Sequence, residues 1–567
     1  MVWLLVFLAF MGDEQIPGRP ESAWYRKHLV GMEVGPTGAQ FGHSDPRDHR
    51  FAARFDGKEI VQACLKAGAE YLVLWVRDGD YAYYNSKLLP KAPGLGERDP
   101  LRDAVQEAKR HHLPVIAYCV VQQGGHYLKA HPEWEMHGHD GKPIGRFCYR
   151  SGYLGAMKQL VAEQLDYGID GFHIDMVDQG FGPPYGCWCP TCRQEFQDHF
   201  GHDMPTGPTW DASWRDMLDF RYQSSQQFEM DLARHIKQLR SDATVDFNYH
   251  GNPPFSFEVG QRPVQHAGNG DFVTGETGVW GFSALGVGFN AEFYRASTPG
   301  IPFQVAMQRG VRMYHDQTTR PLADIRWELL TLLAHGAFVT MVDKTTFEGS
   351  LDPVAYSRIG QAFHEARSKS SHFGQKPYFE LGLYYSSSTR DWIGKEKPLD
   401  WMQSILGAHK ACAYEHLPFG IILDENVTID RLREFGVALI PNAGILHDHE
   451  IELFEAYVRE GGSLIVTGQS GMFDSLGRPT VNDRWERLIG ARIDRRLDSL
   501  DNWFRFLPDV PSELLGEIPA DWSFLVKGPA AVFVPTSAQP FGQLLAPHRT
   551  TRQKEGREGT DWPMCPG

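Results

Sequence analysis

A carboxylate ends an apolar segment in Gly168–Asp175, whose sequence is GIDGFHID. A turn leads into a predicted strand there. Alternate side chains of a strand share a face, so His173 and Asp175 point the same way. If that face lines a pocket, an ionised Asp175 can attack an anomeric carbon and form a covalent glycosyl-enzyme. The alternative is that Asp175 caps a loop or pairs with an arginine. Asp170, at the start of the strand, is interpreted as a turn residue.

A retaining reaction on a sugar needs a second carboxyl group, about 5–5.5 Å from the first. Glu276, in the segment Thr274–Thr277, ends another predicted strand and has small neighbours that leave room for a ligand. Burial at the mouth of a pocket would favour its protonated, acid form. A structural hydrogen-bonding role is the alternative. The other acids that could serve are Asp78, Glu258 and Asp343.

A cysteine cluster follows the same strand: Cys187, Cys189 and Cys192 stand in the sequence CWCPTC, and Cys148 precedes them. Both segments lie in predicted loops on one side of the fold, so four thiolates could bind one tetrahedral Zn²⁺. Such a zinc would be structural, because four thiolates leave no open position, and we expect catalysis to require no cofactor. A disulfide or redox pair is the rival in an oxidising compartment. A thiol- or metal-dependent hydrolase centred on this cluster is a further hypothesis.

The elements that would position these groups are short apolar strands alternating with amphipathic helices. This alternation predicts a parallel sheet, and eight units suit a closed (β/α)8 TIM barrel. A doubly wound open sheet is disfavoured, because no Gly-x-Gly-x-x-Gly turn follows the first strand. The predicted strands are 28–35, 70–76, 114–121, 171–177, 244–250, 271–275, 302–308 and 337–343.

Polar residues end seven of the eight predicted strands. Active sites of such barrels lie at the carboxyl ends of the strands, so these residues predict a pocket with many hydrogen-bonding groups, as a polyol requires. The predicted substrate-binding residues are Asp78, His126, His173, Asn248, His250, Trp280 and Arg309.

The chain is divided here into a leader of residues 1–24, a catalytic barrel of residues 25–374 and a smaller flavodoxin-like α/β domain of residues 375–567. Strands over 379–385, 420–423, 437–441 and 464–467, with a helix over 450–459, support the last assignment. The pattern weakens after about residue 486, which leaves open whether the chain ends before the last strands of this domain are complete.

The composition excludes some partners. A net charge of −15 in 567 residues argues against nucleic acid and anionic membranes, which need a basic face. Aromatic residues make up 12% of the chain, with 15 Trp, which fits stacking on sugar rings, although core positions also explain them. The apolar run over residues 2–10 is too short to span a bilayer and has no preceding positive charge. We expect a cytoplasmic protein.

Several segments resemble α-L-fucosidases: Gly68–Val73, Asp80–Lys87, Arg98–Leu101 and Leu113–Tyr118. In that group the nucleophile is an aspartate that ends strand four, and the resemblance gives this role to Asp175. With Pro132–Trp134, the cysteine cluster and a second domain like the β-galactosidase trimerisation domain, the chain most resembles glycoside hydrolase family 151, which is related to family 29. The resemblance covers most of residues 25–480. It implies an exo-acting α-L-fucosidase on an oligosaccharide or glycoside, assembled as a dimer or trimer.

The chain departs from these families at two points. The paired histidines that many family 29 enzymes carry near strand two are replaced by Val76 and Arg77, so His28, His126, His173 and His250 are candidates for their role. Family 42 β-galactosidases share the cysteine cluster and the second domain, but they end strand four with Asn-Glu where this chain has Ile174 and Asp175. A family 42-like β-galactosidase is therefore the second enzymatic hypothesis. A non-catalytic carbohydrate-binding barrel is the hypothesis of another class.

Overall fold

The computed structural model describes residues 23–37, 45–122, 124–276, 284–312, 317–497, 501–527, 530–547, 550–552, 558–560 and 563–566. The chain forms two compact units, which divide between Pro377 and Tyr378.

Eight parallel strands of the first unit close into a barrel in the order β1-β8-β7-β6-β5-β4-β3-β2. The predicted (β/α)8 barrel is confirmed, and all eight predicted strands are present. Their apolar, β-branched residues are buried on both faces, which is typical of parallel strands covered by helices. The strands are β1 (Val30–Gly35), β2 (Leu72–Trp75), β3 (Val115–Val120), β4 (Gly171–Asp175), β5 (Thr244–Tyr249), β6 (Phe272–Glu276), β7 (Phe303–Gln308) and β8 (Phe338–Lys344).

Helices surround the barrel, and local signals fix where they begin and end. α1 begins after Asp56, whose side chain accepts a hydrogen bond from the Glu59 N–H, and ends at Gly68 in the left-handed conformation (φ 82°). The helices are α1 (Gly57–Ala67), α2 (Pro100–Arg110), α3 (Gly125–Ala130), α4 (Tyr153–Leu165), α5 (Pro190–Phe200), α6 (Ala212–Leu239), α7 (Pro263–His266), α8 (Ala284–Ser297), α9 (Leu322–Ala334) and α10 (Pro353–Ser368).

A polar network fills the middle of the barrel. Thr274 Oγ1 lies 2.6 Å from Asp246 Oδ2 and 3.0 Å from Gln304 Oε1, and Gln304 Nε2 donates to Tyr71 Oη at 2.8 Å. These side chains are buried but hydrogen-bonded to one another, which removes most of the cost of desolvating them. The network forms a floor beneath the carboxyl ends of β4, β5 and β6.

The second unit begins with a parallel sheet of four strands in the order β10-β9-β11-β12, namely β9 (Leu381–Tyr385), β10 (Phe419–Leu423), β11 (Val437–Pro441) and β12 (Ser463–Thr467). All four strands were predicted. Its core includes Ile422, Ile440 and Phe454. The helices are α11 (Ser387–Trp392), α12 (Pro398–Tyr414), α13 (Ile429–Leu432), α14 (Asp448–Arg459), α15 (Asp483–Ile489) and α16 (Ser512–Leu515).

Antiparallel sheets follow, where the sequence pattern had been too weak to predict any strand. β13 pairs with β16, β18 pairs with β19, and a four-stranded sheet has the order β15-β14-β17-β20. The second unit is thus not a flavodoxin-like layer throughout. The strands are β13 (Ala491–Leu497), β14 (Asp501–Phe506), β15 (Ser523–Lys527), β16 (Ala530–Pro535), β17 (Gly542–Pro547), β18 (Thr550–Arg552), β19 (Glu558–Thr560) and β20 (Pro563–Pro566).

Among the described residues, no helix combines the length and the apolar character that crossing a membrane requires.

Candidate active site

Two carboxylates meet at the carboxyl ends of β4 and β6. An oxygen of Asp175 and an oxygen of Glu276 lie within 4.8 Å of each other. Asp175 is buried, whereas about a quarter of the Glu276 side chain is exposed. The sequence predicted both positions and their proximity. One buried acid and one acid that solvent reaches are a suitable pair for attack from inside the pocket and proton transfer at its mouth.

Asn248, at the inward-facing end of β5, holds the two carboxylates together. Its Nδ2 donates to Asp175 Oδ1 at 2.8 Å and to Glu276 Oε1 at 2.6 Å. Asp175 also accepts a hydrogen bond from the Met176 N–H at 2.6 Å and one from the Tyr118 hydroxyl. Its oxygens therefore act as acceptors on three sides, which fixes the orientation of the carboxylate. Met176 has a φ of 54°, a conformation unusual for a residue with a side chain and one that is found at functional sites.

His250 contributes a positive charge beside both acids. Its Nε2 lies 3.5 Å from Glu276 Oε1 and 3.8 Å from Asp175 Oδ1, and its Nδ1 lies 3.5 Å from Asp178 Oδ2. Burial lowers the pKa of His250, but the hydrogen bonds and charges of Asp178, Glu276 and Asp175 outweigh this effect and hold the pKa well above its ordinary value. The imidazole is therefore protonated at neutral pH. Asp178 is itself paired with Arg146 at 3.0 Å.

His173 lies one inward-facing position below Asp175 on β4, as the strand alternation predicted. Its Nδ1 is 2.6 Å from Asp246 Oδ2, and both side chains are buried. Burial lowers the pKa of His173, but the charge and hydrogen bond of Asp246, with contributions from Glu33 and Asp175, outweigh burial and raise the pKa to about 9. A cation thus lies beneath the Asp175 carboxylate, on the side away from solvent.

An aromatic stack forms the wall next to Asp175. The rings of Trp75 and Tyr118 are parallel, with centroids 3.9 Å apart. Trp75 Nε1 donates to Glu33 Oε1 at 2.8 Å. Burial raises the pKa of Tyr118 well above its ordinary value, and the Asp175 charge adds to the effect, so the phenol keeps its proton and remains a donor to Asp175.

Three further residues predicted to bind substrate are Asp78, His126 and Trp280. Asp78 is buried and lies 3.3 Å from the Tyr83 hydroxyl. His126, on α3, is exposed, and its backbone N–H donates to Asp80 at 2.7 Å. No contact in the described part of the chain joins the His126 ring to the carboxylate pair. Trp280 lies outside the described residues. These three assignments remain predictions.

Arg309 stands just past the end of β7 and is buried within protein contacts. Its Nε lies 2.7 Å from Asp343 Oδ1, and its other nitrogens contact Thr319, Gln317 and Asp352 at 2.9 to 3.3 Å. The N–H groups of the Arg309 guanidinium are therefore engaged in contacts within the protein. The assignment to substrate binding stays a prediction that the geometry does not favour. Asp343, one of the alternative acids, is engaged in the same pair.

Sequence reasoning missed three groups that face the pocket, Glu33, Trp75 and Tyr118, and it identified Lys344 only as a polar residue at the end of the eighth strand. Burial lowers the pKa of Lys344 to about 8, against the opposing effect of Glu33 and other carboxylates. Strand alternation could have identified two of these groups. Lys344 on β8 and Tyr118 on β3 are at inward-facing positions, as Asp175 is on β4.

The four cysteines predicted to bind metal come together. Cys148, Cys187, Cys189 and Cys192 are buried, and their sulfur atoms lie within 4.8 Å of one another. Cys148 Sγ is 3.4 Å from Cys192 Sγ and 3.9 Å from Cys189 Sγ. All four are free thiols. Sulfurs about 2.3 Å from a tetrahedral zinc are separated by just under 4 Å, so the cluster fits this ion.

Asp175, His250 and Glu276 also offer three donor atoms close enough to surround a cation. One feature opposes such an ion. The Asn248 amide already places hydrogen atoms between the two carboxylates. The arrangement suits a hydrogen-bonded acid pair better than a metal centre.

Residues 56–176 match the family model described as Hypothetical glycosyl hydrolase 6. The matched segment runs from the start of α1 to the end of β4, so it includes Asp175. A search of the curated proteins finds no match.

The structure is similar to α-L-fucosidase isoenzyme 2 from Paenibacillus thiaminolyticus, with a TM-score of 0.72 and 17% identity over 94% of this chain and 77% of that one. β-Galactosidase from Bacillus circulans sp. alkalophilus gives a TM-score of 0.72 and 14% identity over 95% of this chain and 86% of that one. β-Galactosidase from the haloarchaeon Halorubrum lacusprofundi gives 0.68 and 15%, over 91% and 83%. The chain therefore has a glycoside hydrolase fold, in agreement with the resemblance found in the sequence. At these identities the likeness defines the fold and leaves the sugar open.

Proposed function

We propose that the barrel is a retaining exo-glycosidase, with Asp175 as nucleophile and Glu276 as acid/base. The observation that carries this proposal is the separation of the two acids, at most 4.8 Å between their nearest oxygens. Retaining glycosidases hold their carboxyl groups about 5–5.5 Å apart, whereas inverting enzymes need about 6.5–9.5 Å to admit a water molecule between the sugar and the base. The short distance also argues against a barrel that only binds carbohydrate, because binding alone does not require two carboxyl groups so close together.

In the first step, an Asp175 oxygen attacks the anomeric carbon as the bond to the leaving group breaks, and Glu276 transfers its proton to the departing oxygen. In the second step, the Glu276 carboxylate takes a proton from water, which attacks the same carbon and releases Asp175. Asn248 keeps both acids at their working separation. His250 lies next to Glu276 and stays protonated, so its positive charge stabilises the Glu276 carboxylate that the first step leaves behind.

Two groups position the nucleophile rather than contact the sugar's reacting atoms. Tyr118 donates to Asp175 from the aromatic wall. The His173 cation, fixed by Asp246, lies beneath it. Preorganised donors and charges of this type stabilise a carboxylate without reorganising during the reaction.

The substrate we propose is a terminal α-L-fucoside, for two reasons. The sequence segments that resemble α-L-fucosidases include Leu113–Tyr118, which forms β3 and the aromatic wall. An α-L-fucosidase is also among the structures of highest similarity. A β-galactoside is the second candidate, because β-galactosidase structures superpose equally well.

The test is a screen of nitrophenyl glycosides that includes α-L-fucoside and β-D-galactoside, with NMR of the first-formed anomer. Retention is expected, and an inverted first product would overturn the mechanism. Asp175→Asn should lower kcat at least about 10³-fold. Asp170→Asn is the matched control, because Asp170 stands just before the other end of the same strand, where its carboxylate accepts a hydrogen bond from the Val115 N–H at 2.8 Å. Azide added to Asp175→Gly should yield a glycosyl azide of inverted configuration.

The same proposal assigns Zn²⁺ to Cys148, Cys187, Cys189 and Cys192. The ion would tie the loop after β3 to the start of α5 and would take no part in the reaction, because four thiolates occupy its coordination sphere. The support is the mutual proximity of the four buried sulfur atoms, which lie within 4.8 Å of one another.

We also propose a homo-oligomer in the cytoplasm. The support for the assembly is the resemblance of the second unit to a trimerisation domain. Light scattering after size-exclusion chromatography tests the assembly, and a monomer at micromolar concentration would contradict it.

A further inference from the structure

Two buried polar side chains face the pocket from the strands opposite Asp175. Gln308 ends β7 and is 1% exposed, and Lys344 ends β8 and is 2% exposed. Strand alternation sends both inward, whereas their neighbours Arg309 and Asp343 pair with each other on the other face, at 2.7 Å. Gln308 therefore lies on the strand next to that of Glu276, and Lys344 lies on the strand four positions from that of Asp175.

Neither side chain has its hydrogen bonds satisfied within the part of the chain that the structure describes. The amine of Lys344 and both polar atoms of the Gln308 amide are buried without a hydrogen-bond partner there. Each unmade hydrogen bond of this kind costs about 1–3 kcal/mol, more for a charge, and buried polar groups in native proteins are rarely left so. Three such atoms on adjacent strands of a candidate pocket are most simply explained by a ligand that supplies their partners.

The position of the amine connects Lys344 to the nucleophile. Lys344 Nζ lies over the Trp75 ring, 2.8 Å from its centroid, and 5.6 Å from the centroid of Tyr118. Tyr118 in turn donates to Asp175. The amine is therefore connected to the nucleophile through the stacked rings of Trp75 and Tyr118, which form one wall of the pocket.

The charges around the amine select the type of ligand. Lys344 is surrounded by the negative charges of Glu33, Asp78, Asp175 and Asp343, which act against the effect of burial on its pKa. A carboxylated or phosphorylated sugar would meet the like charge of Asp175 and the carboxyl group of Glu33, and only one ammonium group would attract it. A neutral sugar meets donors in Lys344 and Gln308 and acceptors in Glu33 and the Gln308 carbonyl, which is the mixture that hydroxyl groups require.

We propose that Lys344 and Gln308 bind hydroxyl groups of a neutral pyranose whose anomeric carbon faces Asp175, and that they determine which sugar the pocket accepts. The inference rests on the proposed function for the position of that carbon. The amine and the amide then complete a ring of contacts around the sugar, from β4 through β8.

The experiment compares Lys344→Met and Gln308→Leu with the wild-type protein, because both changes keep side-chain volume and remove the polar atoms. Lys237→Met is the matched control, since Lys237 is a lysine with little exposure whose amine is paired with Asp271 at 2.7 Å, away from the pocket. The substrates are the nitrophenyl glycoside that the wild type accepts, α-L-fucoside or β-D-galactoside, and its 2-, 3- and 4-deoxy analogues.

Lys344→Met should lower kcat/KM for the parent glycoside about 10- to 100-fold, as expected when a hydrogen bond to a charged group is lost. One deoxy analogue lacks the hydroxyl that Lys344 binds. For this analogue the wild type should already have a kcat/KM about 10- to 100-fold lower than for the parent glycoside, and Lys344→Met should lower it little further. Gln308→Leu should behave in the same way with a different analogue. An equal loss for every analogue would overturn the inference, because it would indicate a general structural effect.

Binding of free L-fucose and D-galactose, measured by calorimetry, separates the two proposals. If the wild type hydrolyses a glycoside and Lys344→Met matches it in kcat/KM and sugar affinity, the inference fails and the proposed function stands. If the wild type binds a sugar without hydrolysing any glycoside and Lys344→Met loses that binding, the proposed function fails and the sugar-binding role stands. Absence of binding to both sugars overturns the inference.

Discussion

Replacing Asp246 with asparagine tests the buried cation beneath the candidate nucleophile. In the wild-type protein burial lowers the pKa of His173, but Asp246, with smaller contributions from Glu33 and Asp175, raises it from an ordinary value of 6.5 to about 9. In Asp246→Asn the neutral amide can still accept from Nδ1, but it no longer offsets burial, which by itself lowers the pKa. The pKa of His173 in the folded variant should therefore fall below that in the wild type.

The magnitude follows from the change in pKa. A rise from 6.5 to about 9 corresponds to ~3 kcal/mol of unfolding free energy, at 1.36 kcal/mol for each pKa unit. Because the pKa of His173 is raised on folding, this contribution is fully present below pH 6.5 and is lost as the pH rises through about 9. The difference in stability between the wild type and Asp246→Asn should be largest near pH 6 and should shrink by ~3 kcal/mol near pH 9.5.

Urea unfolding of the full chain, followed by tryptophan fluorescence across this pH range, measures the difference directly. Other titrating groups are common to both proteins, so they cancel in the comparison. Thr274→Val is the control: it removes the hydroxyl 2.6 Å from Asp246 but no charge, and should cost about 1 kcal/mol at every pH. A stability difference for Asp246→Asn that stays constant from acid to alkaline pH would refute the charge-pair explanation.

The other predictions concern the chemistry and the thiol cluster. Glu276→Gln should lower kcat/KM about 10²- to 10⁴-fold for a disaccharide and much less for a dinitrophenyl glycoside, which needs no acid; equal losses for the two substrates would remove Glu276 from the role of acid. Tyr118→Phe should lower kcat about 10-fold or more with little change in KM, and an effect confined to KM would instead place the hydroxyl in substrate binding. Elemental analysis should find one zinc per chain in the wild type and less than half of that in Cys148→Ser, with a lower melting temperature for the variant; wild-type protein free of zinc after preparation with added zinc would contradict the assignment.

The barrel could be predicted because its strands repeat one simple pattern. Each of β1 to β8 is a short run of apolar or β-branched residues between helical segments, and the predicted limits differ from the observed ones by two residues or fewer. The same argument found the four parallel strands of the second unit. It failed after residue 490, where β13 contains Arg492, Asp494, Arg495 and Arg496, because a half-exposed antiparallel strand has no continuous apolar run.

The site was only partly predictable from the sequence, for a related reason. Strand position alone placed Asp175, Asn248 and Glu276 at one end of the barrel. It could not decide between Gln308 and Arg309 as the pocket-facing residue, since strands of a covered barrel are buried on both faces and their sequences do not mark the inner one. The pairing of Arg309 with Asp343 resolves that choice, and it depends on contacts between strands that the sequence does not specify.

The cysteine cluster was predicted from spacing, and the geometry brings all four sulfurs together. Three of the thiols lie within six residues, so local structure accounts for most of their proximity. Cys148 belongs to another loop, and its place could be inferred only from the side of the barrel on which both loops lie.

The pairing of Val30 with Val339, which closes the barrel, has a consequence for biosynthesis. A chain emerging from the ribosome makes β1 first and its partner β8 last, so the backbone groups along one edge of β1 wait, exposed, until nearly the whole barrel has been translated. Contacts between residues so distant in sequence form slowly, and an exposed edge invites aggregation in the interval. Glu33 on the first strand and Lys344 on the last come together only at that final step, so truncated or nascent chains would contain most of the pocket's residues and none of its function.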